Sequence, residues 1–76
     1  MPIWIRYKNY LMLCDAFSTG KSRIDGTHSL YAYPSGRGED GPYIRVPKLP
    51  EQQANDLMRN IAEVVASGKT YFEIKE

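Results

Sequence analysis

The 76-residue sequence lacks the residues from which most metal sites and disulfide frameworks are built. It contains one cysteine, Cys14, and one histidine, His28, so no internal disulfide can form. Zinc sites usually combine closely spaced cysteine and histidine pairs, which are missing here. A single cysteine within an apolar run suits a reducing compartment. We therefore expect no metal, no cofactor and a cytoplasmic location.

The sequence also lacks an excess of one charge and a long apolar run. Ten lysines and arginines against nine aspartates and glutamates give a net charge of +1, whereas a strongly electrostatic DNA-binding protein needs a clear basic excess. Arg6, Lys8 and Asp15 interrupt the amino-terminal apolar stretch. We therefore expect neither a signal peptide nor a membrane-spanning helix. Because the net charge is close to zero, nucleic acid is also a less favoured partner.

What is present is the composition of one ordinary globular domain, which we assign to residues 1–76. Hydrophobic residues make up 42% of the chain and charged residues 25%, both typical of globular proteins. A domain of this length buries only roughly 60% of the surface that its unfolded chain exposes. Self-association is therefore an expected source of stability.

Strand and turn patterns dominate the first two thirds of the chain. Residues 3–7 and 10–17 are predicted to form two strands around a tight turn at Lys8-Asn9, where asparagine tolerates a positive φ. The near-continuous apolar run from Tyr10 to Cys14 predicts burial on both faces of the second strand. Further strands are predicted at 21–24, 27–33, 43–47 and 70–75, with a hairpin turn at Asp25-Gly26, loops at 18–20 and 34–42, and a sheet edge at Pro47.

One amphipathic helix is predicted over residues 51–67. Pro50 suits its first position, and Gly68 suits its carboxyl-terminal cap. The apolar stripe of this helix consists of Ala54, Leu57, Met58, Ile61, Val64 and Val65. Strand alternation identifies the inward residues that the stripe would cover as Ile5, Leu30, Ala32, Ile44, Val46, Phe72 and Ile74. The predicted fold is α+β: a curved, mainly antiparallel sheet of five to six strands with one helix packed on one face, in the order β-β-(β)-β-β-α-β.

Residues 18–22, STGKS, match the end of a phosphate-binding P-loop, but the rest of that motif is missing. A P-loop has the pattern G-x-x-x-x-G-K-[ST] between a strand and a helix. Counting back from Gly20 places Asp15 where the first glycine belongs. A strand-and-turn pattern follows instead of a helix whose amino terminus could face an anion. We predict a polar connection in which Lys21 and Arg23 can still contact an anion.

Tyrosine is the most informative residue type, because it supplies six of the nine aromatic residues. If the inward residues face the helix, alternation places Tyr31, Tyr33, Tyr43 and Arg45 on the opposite face. Tyrosine rings beside an arginine can stack on planar ligands and pair with phosphate or carboxylate. Further charge would come from Arg37 in the 34–42 loop and from Lys21 or Arg23. The same face could instead be a subunit interface, and Trp4 is expected at the core edge or in that interface.

The two ends of the chain resemble small proteins common in bacterial prophages and mobile elements. Such proteins begin with W-I-R, as in Trp4-Ile5-Arg6, and finish with a helix, a glycine and a short strand. The matching residues here are Ala54, Leu57, Ile61, Val64, Gly68 and Phe72-Glu73-Ile74. The resemblance implies a compact accessory protein that acts by binding, and it implies no catalytic residue.

These patterns favour a non-enzymatic, self-associating binding protein that sequesters or inhibits a host protein or a small anionic, nucleotide-like ligand. The first alternative is single-stranded nucleic-acid binding through the same tyrosine and arginine face. The second is a small enzyme that uses Cys14 or His28, although no complete catalytic set is recognisable.

Overall fold

Short turns and one helix link the strands into a five-stranded sheet. The computed structural model describes residues 2–36 and 41–75. Its elements are β1 (Ile3–Tyr7), β2 (Tyr10–Lys21), β3 (His28–Pro34), β4 (Ile44–Leu49), α1 (Glu51–Ala66) and β5 (Tyr71–Ile74). The sheet order is β4-β3-β2-β1-β5. All neighbours pair antiparallel except β1 and β5, which are parallel because α1 carries the chain back across the sheet. The predicted α+β fold is confirmed, with five strands.

The long strand β2 joins the two parts of the sheet. Its first half, from Tyr10 to Cys14, pairs with β1, and its second half, from Cys14 to Lys21, pairs with β3. The register with β3 shifts between Cys14 and Ala16, which marks a β-bulge that bends the strand and increases its twist. The two neighbours of β2 are therefore staggered along it.

The polar segment STGKS lies mainly within β2, so the loop predicted at 18–20 and the separate strand predicted at 21–24 are both wrong. Its polar residues form a strand because they pair with β3, from Ser18↔Tyr31 to Lys21↔His28. No helix follows Gly20, as expected for a segment that is not a P-loop.

A turn links β2 to β3 at the position predicted from Asp25-Gly26, but it is wider than predicted and spans residues 22–27. The Ser22 amide donates to the Thr27 carbonyl at 2.8 Å, and Gly26 has a φ of 72°. Hydrogen bonds from the hydroxyl and the amide of Thr27 lower the pKa of the Asp25 carboxyl group. At the first hairpin, by contrast, the positive φ belongs to Lys8 and not to Asn9.

The core lies between the sheet and α1, as the alternation predicted. Six of the seven predicted inward residues are buried, and Phe72 packs against the core while partly exposed. The buried six are Ile5, Leu30, Ala32, Ile44, Val46 and Ile74. The helix contributes Ala54 and Ile61 as its buried residues, with Leu57, Met58, Val64 and Val65 partly buried around them.

The edge strand β4 carries an irregularity next to Pro47. Val46 pairs with Leu30, and Leu49 pairs with His28, so β4 uses one residue more than β3 over this interval. Lys48 absorbs the extra residue with a left-handed φ of 59°. The bulge keeps both Val46 and Leu49 buried, and it interrupts the hydrogen-bonding edge that Pro47 already weakens.

The ends of α1 differ slightly from the prediction. Pro50 occupies the N-cap position, and its carbonyl accepts the first helical hydrogen bond from Ala54 at 3.0 Å. At the other end the Gly68 amide donates to Val65 and the Lys69 amide donates to Val64, both at 3.1 Å. This pair of bonds is a Schellman motif, and it requires the positive φ of 75° found at Gly68. Of the described residues, no helix is both long and apolar enough to cross a bilayer.

We predict that Gly68→Ala lowers the free energy of unfolding by about 1 kcal/mol, because an L-residue is disfavoured at this left-handed position. Urea unfolding monitored by circular dichroism measures the effect. Gly20→Ala is the matched control, since an added Cβ there would meet only the Tyr31 ring at an ordinary 3.5 Å. Equal losses from the two substitutions would contradict the role assigned to Gly68.

Candidate binding face

The sheet has one face covered by α1 and one face on which no helix or strand of the described residues packs. We call the second the outer face. The prediction that the run from Tyr10 to Cys14 is buried on both sides is wrong, because Tyr10 is 62% and Leu11 59% exposed. With one helix, a chain of this length covers only one side of its sheet. The outer face therefore carries apolar side chains toward solvent or a partner.

Three tyrosines form a contiguous cluster on the outer face of β3 and β4, as the alternation predicted. Tyr31 and Tyr33 lie two residues apart on β3 with ring centroids 6.4 Å apart and nearly parallel planes. Tyr43 precedes β4 and tilts against both rings, with centroid distances of 5.7 and 5.8 Å. Arg45 pairs across the strands with Tyr31 and is exposed. We refer to these four residues as the tyrosine cluster.

Small residues on the neighbouring strand support the tyrosine cluster. Gly20 would place a Cβ 3.5 Å from the Tyr31 ring, so the ring lies over strand backbone. The Ser18 hydroxyl lies 3.3 Å from the Tyr33 hydroxyl. Tyr31 and Tyr33 are only partly exposed, whereas Tyr43 is 48% exposed. Tyr43 and Arg45 are therefore the members of the cluster most available to a ligand.

The additional cations predicted for the site are placed apart from the tyrosine rings. Lys21 ends β2, and Arg23 belongs to the β2–β3 turn, where both line a shallow depression with Ser22 and Gly26. This turn and Tyr33 lie toward opposite ends of the β2–β3 ladder, because Lys21 pairs with His28 whereas Ala16 pairs with Tyr33. Arg37 lies outside the described residues. The structure thus brings Tyr31, Tyr33, Tyr43 and Arg45 together and leaves Lys21 and Arg23 outside this group.

A second group lies on the outer face around Trp4, which was expected at the core edge or in a subunit interface. Trp4 on β1 pairs with Leu13 on β2 and with Tyr71 on β5, and Leu11 follows on the same side of β2. Trp4 and Tyr71 are 44% and 48% exposed, so Trp4 is not a core residue. We call these four residues the Trp4 patch. In the sequence, the shared parity of Trp4 and Arg6 indicates that Trp4 lies on the outer face, since a charged residue marks the face that is not buried.

Cys14 and His28 cannot act together as a nucleophile and base. Cys14 pairs with Pro34 and His28 with Lys21, at opposite ends of the β2–β3 ladder, a separation of about 20 Å at the usual rise per residue. Cys14 is fully buried, and burial, with a smaller effect of the Asp15 charge, raises the pKa of its thiol to about 11. His28 contacts Glu51 at 3.6 Å. Within residues 2–36 and 41–75, no three potential ligands are grouped to hold a metal ion.

Comparison with known proteins does not assign this chain to a family. No family model, no curated protein and no solved structure matches the chain. The resemblance of its ends to small prophage proteins therefore stays a prediction.

The buried thiol predicts a loss of stability in alkali. The pKa of Cys14 is raised from 9.0 to about 11, so the folded state favours the protonated thiol. This stabilisation is complete below the pKa of the unfolded state and is lost as pH rises through the pKa of the folded state. The free energy of unfolding should therefore fall by about 1 kcal/mol between roughly pH 8 and pH 10. Urea unfolding at several pH values measures it.

Cys14→Ala is the control, because it retains every other group that titrates in this range. The variant should be less stable overall and should lose less stability than the wild type between these pH values. Identical pH slopes for the two proteins would contradict the assignment.

Proposed function

We propose that this chain is a small, non-enzymatic binding protein whose tyrosine cluster recognises a planar, anionic, nucleotide-like ligand. The observation that carries the proposal is the exposed ring of Tyr43 on an uncovered sheet face, two residues from the exposed Arg45 that pairs with Tyr31. An aromatic ring offers a stacking surface to a base, and an arginine pairs with phosphate. The inert setting of Cys14 and its distance from His28 support binding over catalysis.

We further propose that the Trp4 patch packs against a second copy of the chain. Large apolar residues exposed side by side on a small protein favour association. The two longest dimensions of the molecule are 35 and 26 Å, which allow a face of the size needed for the roughly 800 Å² that each partner buries in a standard interface. Arg6 and Glu73 pair across β1 and β5 beside the patch and supply both charges for a self-complementary rim.

The resemblance to prophage accessory proteins supports a sequestering or inhibitory role toward a host molecule. Such a role requires only a stable scaffold that presents a binding surface. Among the candidate partners, a nucleotide-like ligand fits the tyrosine cluster best, because its ring and its phosphate match the two kinds of side chain that the cluster exposes.

Titration calorimetry with ADP-ribose and a cyclic mononucleotide tests the ligand. We expect binding by the wild type and at least about a fivefold loss with Tyr43→Ala, since one stacked base contributes roughly 1–3 kcal/mol. Arg45→Gln should weaken binding of the phosphate-bearing ligand as well. Tyr10→Ala is the matched control, because Tyr10 is an exposed tyrosine outside the cluster.

Wild-type protein that binds neither nucleotide would overturn the nucleotide proposal. A gel-shift assay with single-stranded oligonucleotides at low salt then tests the nucleic-acid alternative. A shift abolished by Tyr43→Ala would favour nucleic acid as the ligand of the same cluster.

Self-association is tested by light scattering and by the fluorescence of the single tryptophan, Trp4. We expect a dimer or larger oligomer, and a blue shift of Trp4 emission as protein concentration rises. Leu11→Lys should dissociate the oligomer, because the added cation would be buried in the Trp4 patch opposite Arg6, with which Leu11 pairs on β1. Ile24→Lys is the control, since Ile24 is 97% exposed at the tip of the β2–β3 turn. A monomer at every concentration would contradict the proposed interface.

A further inference from the structure

A second candidate site lies on the helix side of the molecule, away from the outer face. A cavity of about 420 Å³ opens between residues 53–60 of α1, the bulged end of β4 and Lys75, which follows β5. This volume falls within the range of small-molecule sites. Since β4 and β5 are the two edges of the sheet, the cavity occupies the gap that the sheet leaves open beside the helix.

The cavity has an apolar floor and a polar rim. Val46 and Leu49 are buried, and Leu57 is partly buried and packs against the core. Gln53 and Asn60 project from α1 to the rim. A ligand with a short apolar or aromatic body would cover the floor, while the two amides offer hydrogen bonds to its polar groups.

The charges at the rim favour an anion. Lys48 and Lys75 line the cavity from opposite sheet edges, and neither forms an ion pair with a carboxylate of the described residues. The rim also contains Asp56, but its Oδ1 already accepts hydrogen bonds from Gln52 at 3.1 Å and Arg59 at 3.4 Å. Within the part of the chain that the structure describes, the two lysines are thus the rim charges that have no ion-pair partner.

The β4 bulge places one of the two cations, Lys48, at an irregular point of the sheet edge. The Lys48 φ of 59° is a conformation that residues with a Cβ disfavour and that glycine or asparagine adopts more readily. The β4 bulge requires this conformation, but it does not require a lysine. Strained residues of this kind concentrate at ligand sites, and here the strained residue carries one of the two cations of the cavity.

We propose that this cavity binds a small amphiphilic anion, in which a phosphate or carboxylate group is attached to a short apolar or aromatic body. Lys48 and Lys75 hold the anionic group between them, and Val46, Leu49 and Leu57 contact the body. The site is independent of the tyrosine cluster, so either proposal can fail without the other.

Heteronuclear NMR titration of the full chain tests the site, with phenyl phosphate and benzoate as the two anionic probes. Phenyl phosphate should shift the amide resonances of Lys48, Leu49 and Leu57, and inorganic phosphate or phenol alone should bind at least about tenfold more weakly, because each makes only half of the contacts. Tighter binding of benzoate would assign the anionic group as a carboxylate. The absence of shifts in these residues with both probes at millimolar concentration would overturn the proposal.

Single substitutions locate the cations. Lys48→Gln and Lys75→Gln should each weaken binding by about tenfold, the loss expected for one charge-assisted contact. Lys48→Gly removes the cation while it suits the left-handed backbone, so it separates loss of charge from loss of fold. Lys69→Gln is the matched control, because Lys69 is exposed beyond the far end of α1. Binding that is insensitive to both cavity lysines, or equally sensitive to Lys69→Gln, would refute the site.

Discussion

The pairing of β2 with two different neighbours through its two halves is the constraint on which the rest of the structure depends. Cys14 is the one residue of β2 that pairs with both β1 and β3. The bulge that follows it turns the second half of the strand, so that β3 and β4 continue the sheet from a staggered position. This arrangement places the tyrosine cluster on the β3 and β4 side of the outer face and the Trp4 patch on β1, β2 and β5.

A single helix can cover only one of the two faces of a five-stranded sheet. One apolar face of the sheet finds its partner in α1, and the other has no helix or strand over it among the described residues. Tyrosine is well suited to this second face, because its ring packs against strand backbone while its hydroxyl group stays hydrogen-bonded or hydrated. The tyrosine content of the sequence thus follows from the architecture as much as from any ligand.

Short strands with clear alternation could be predicted from the sequence, and so could α1 and its glycine cap. Alternation in β3 and β4 identified both the core residues and the tyrosine cluster, because side-chain direction in a regular strand depends only on parity. The long strand β2 could not be predicted in this way. A continuous apolar run is compatible with one or two buried faces, and the polar residues from Ser18 to Lys21 become a strand only through pairing with β3.

The two bulges and the cavity between the sheet edges could not be predicted from the sequence either. A bulge depends on the register between strands, which no local pattern specifies at Cys14 or Lys48. The cavity depends on how α1 packs against the two sheet edges, and its lining includes both Lys48 and Lys75, which are 27 residues apart in the sequence. Such a juxtaposition is a property of the tertiary fold alone.

The irregular edge at Pro47 and Lys48 has a consequence for how copies of this chain can assemble. A regular edge strand lets one sheet continue into the next without limit, which is the route to fibres. Pro47 and the bulge obstruct that growth at β4, and β5 offers only four residues at the other edge. The proposed two-fold packing through the outer face would instead consume the surface that it uses. Such a dimer would be a finite particle and not an open-ended polymer.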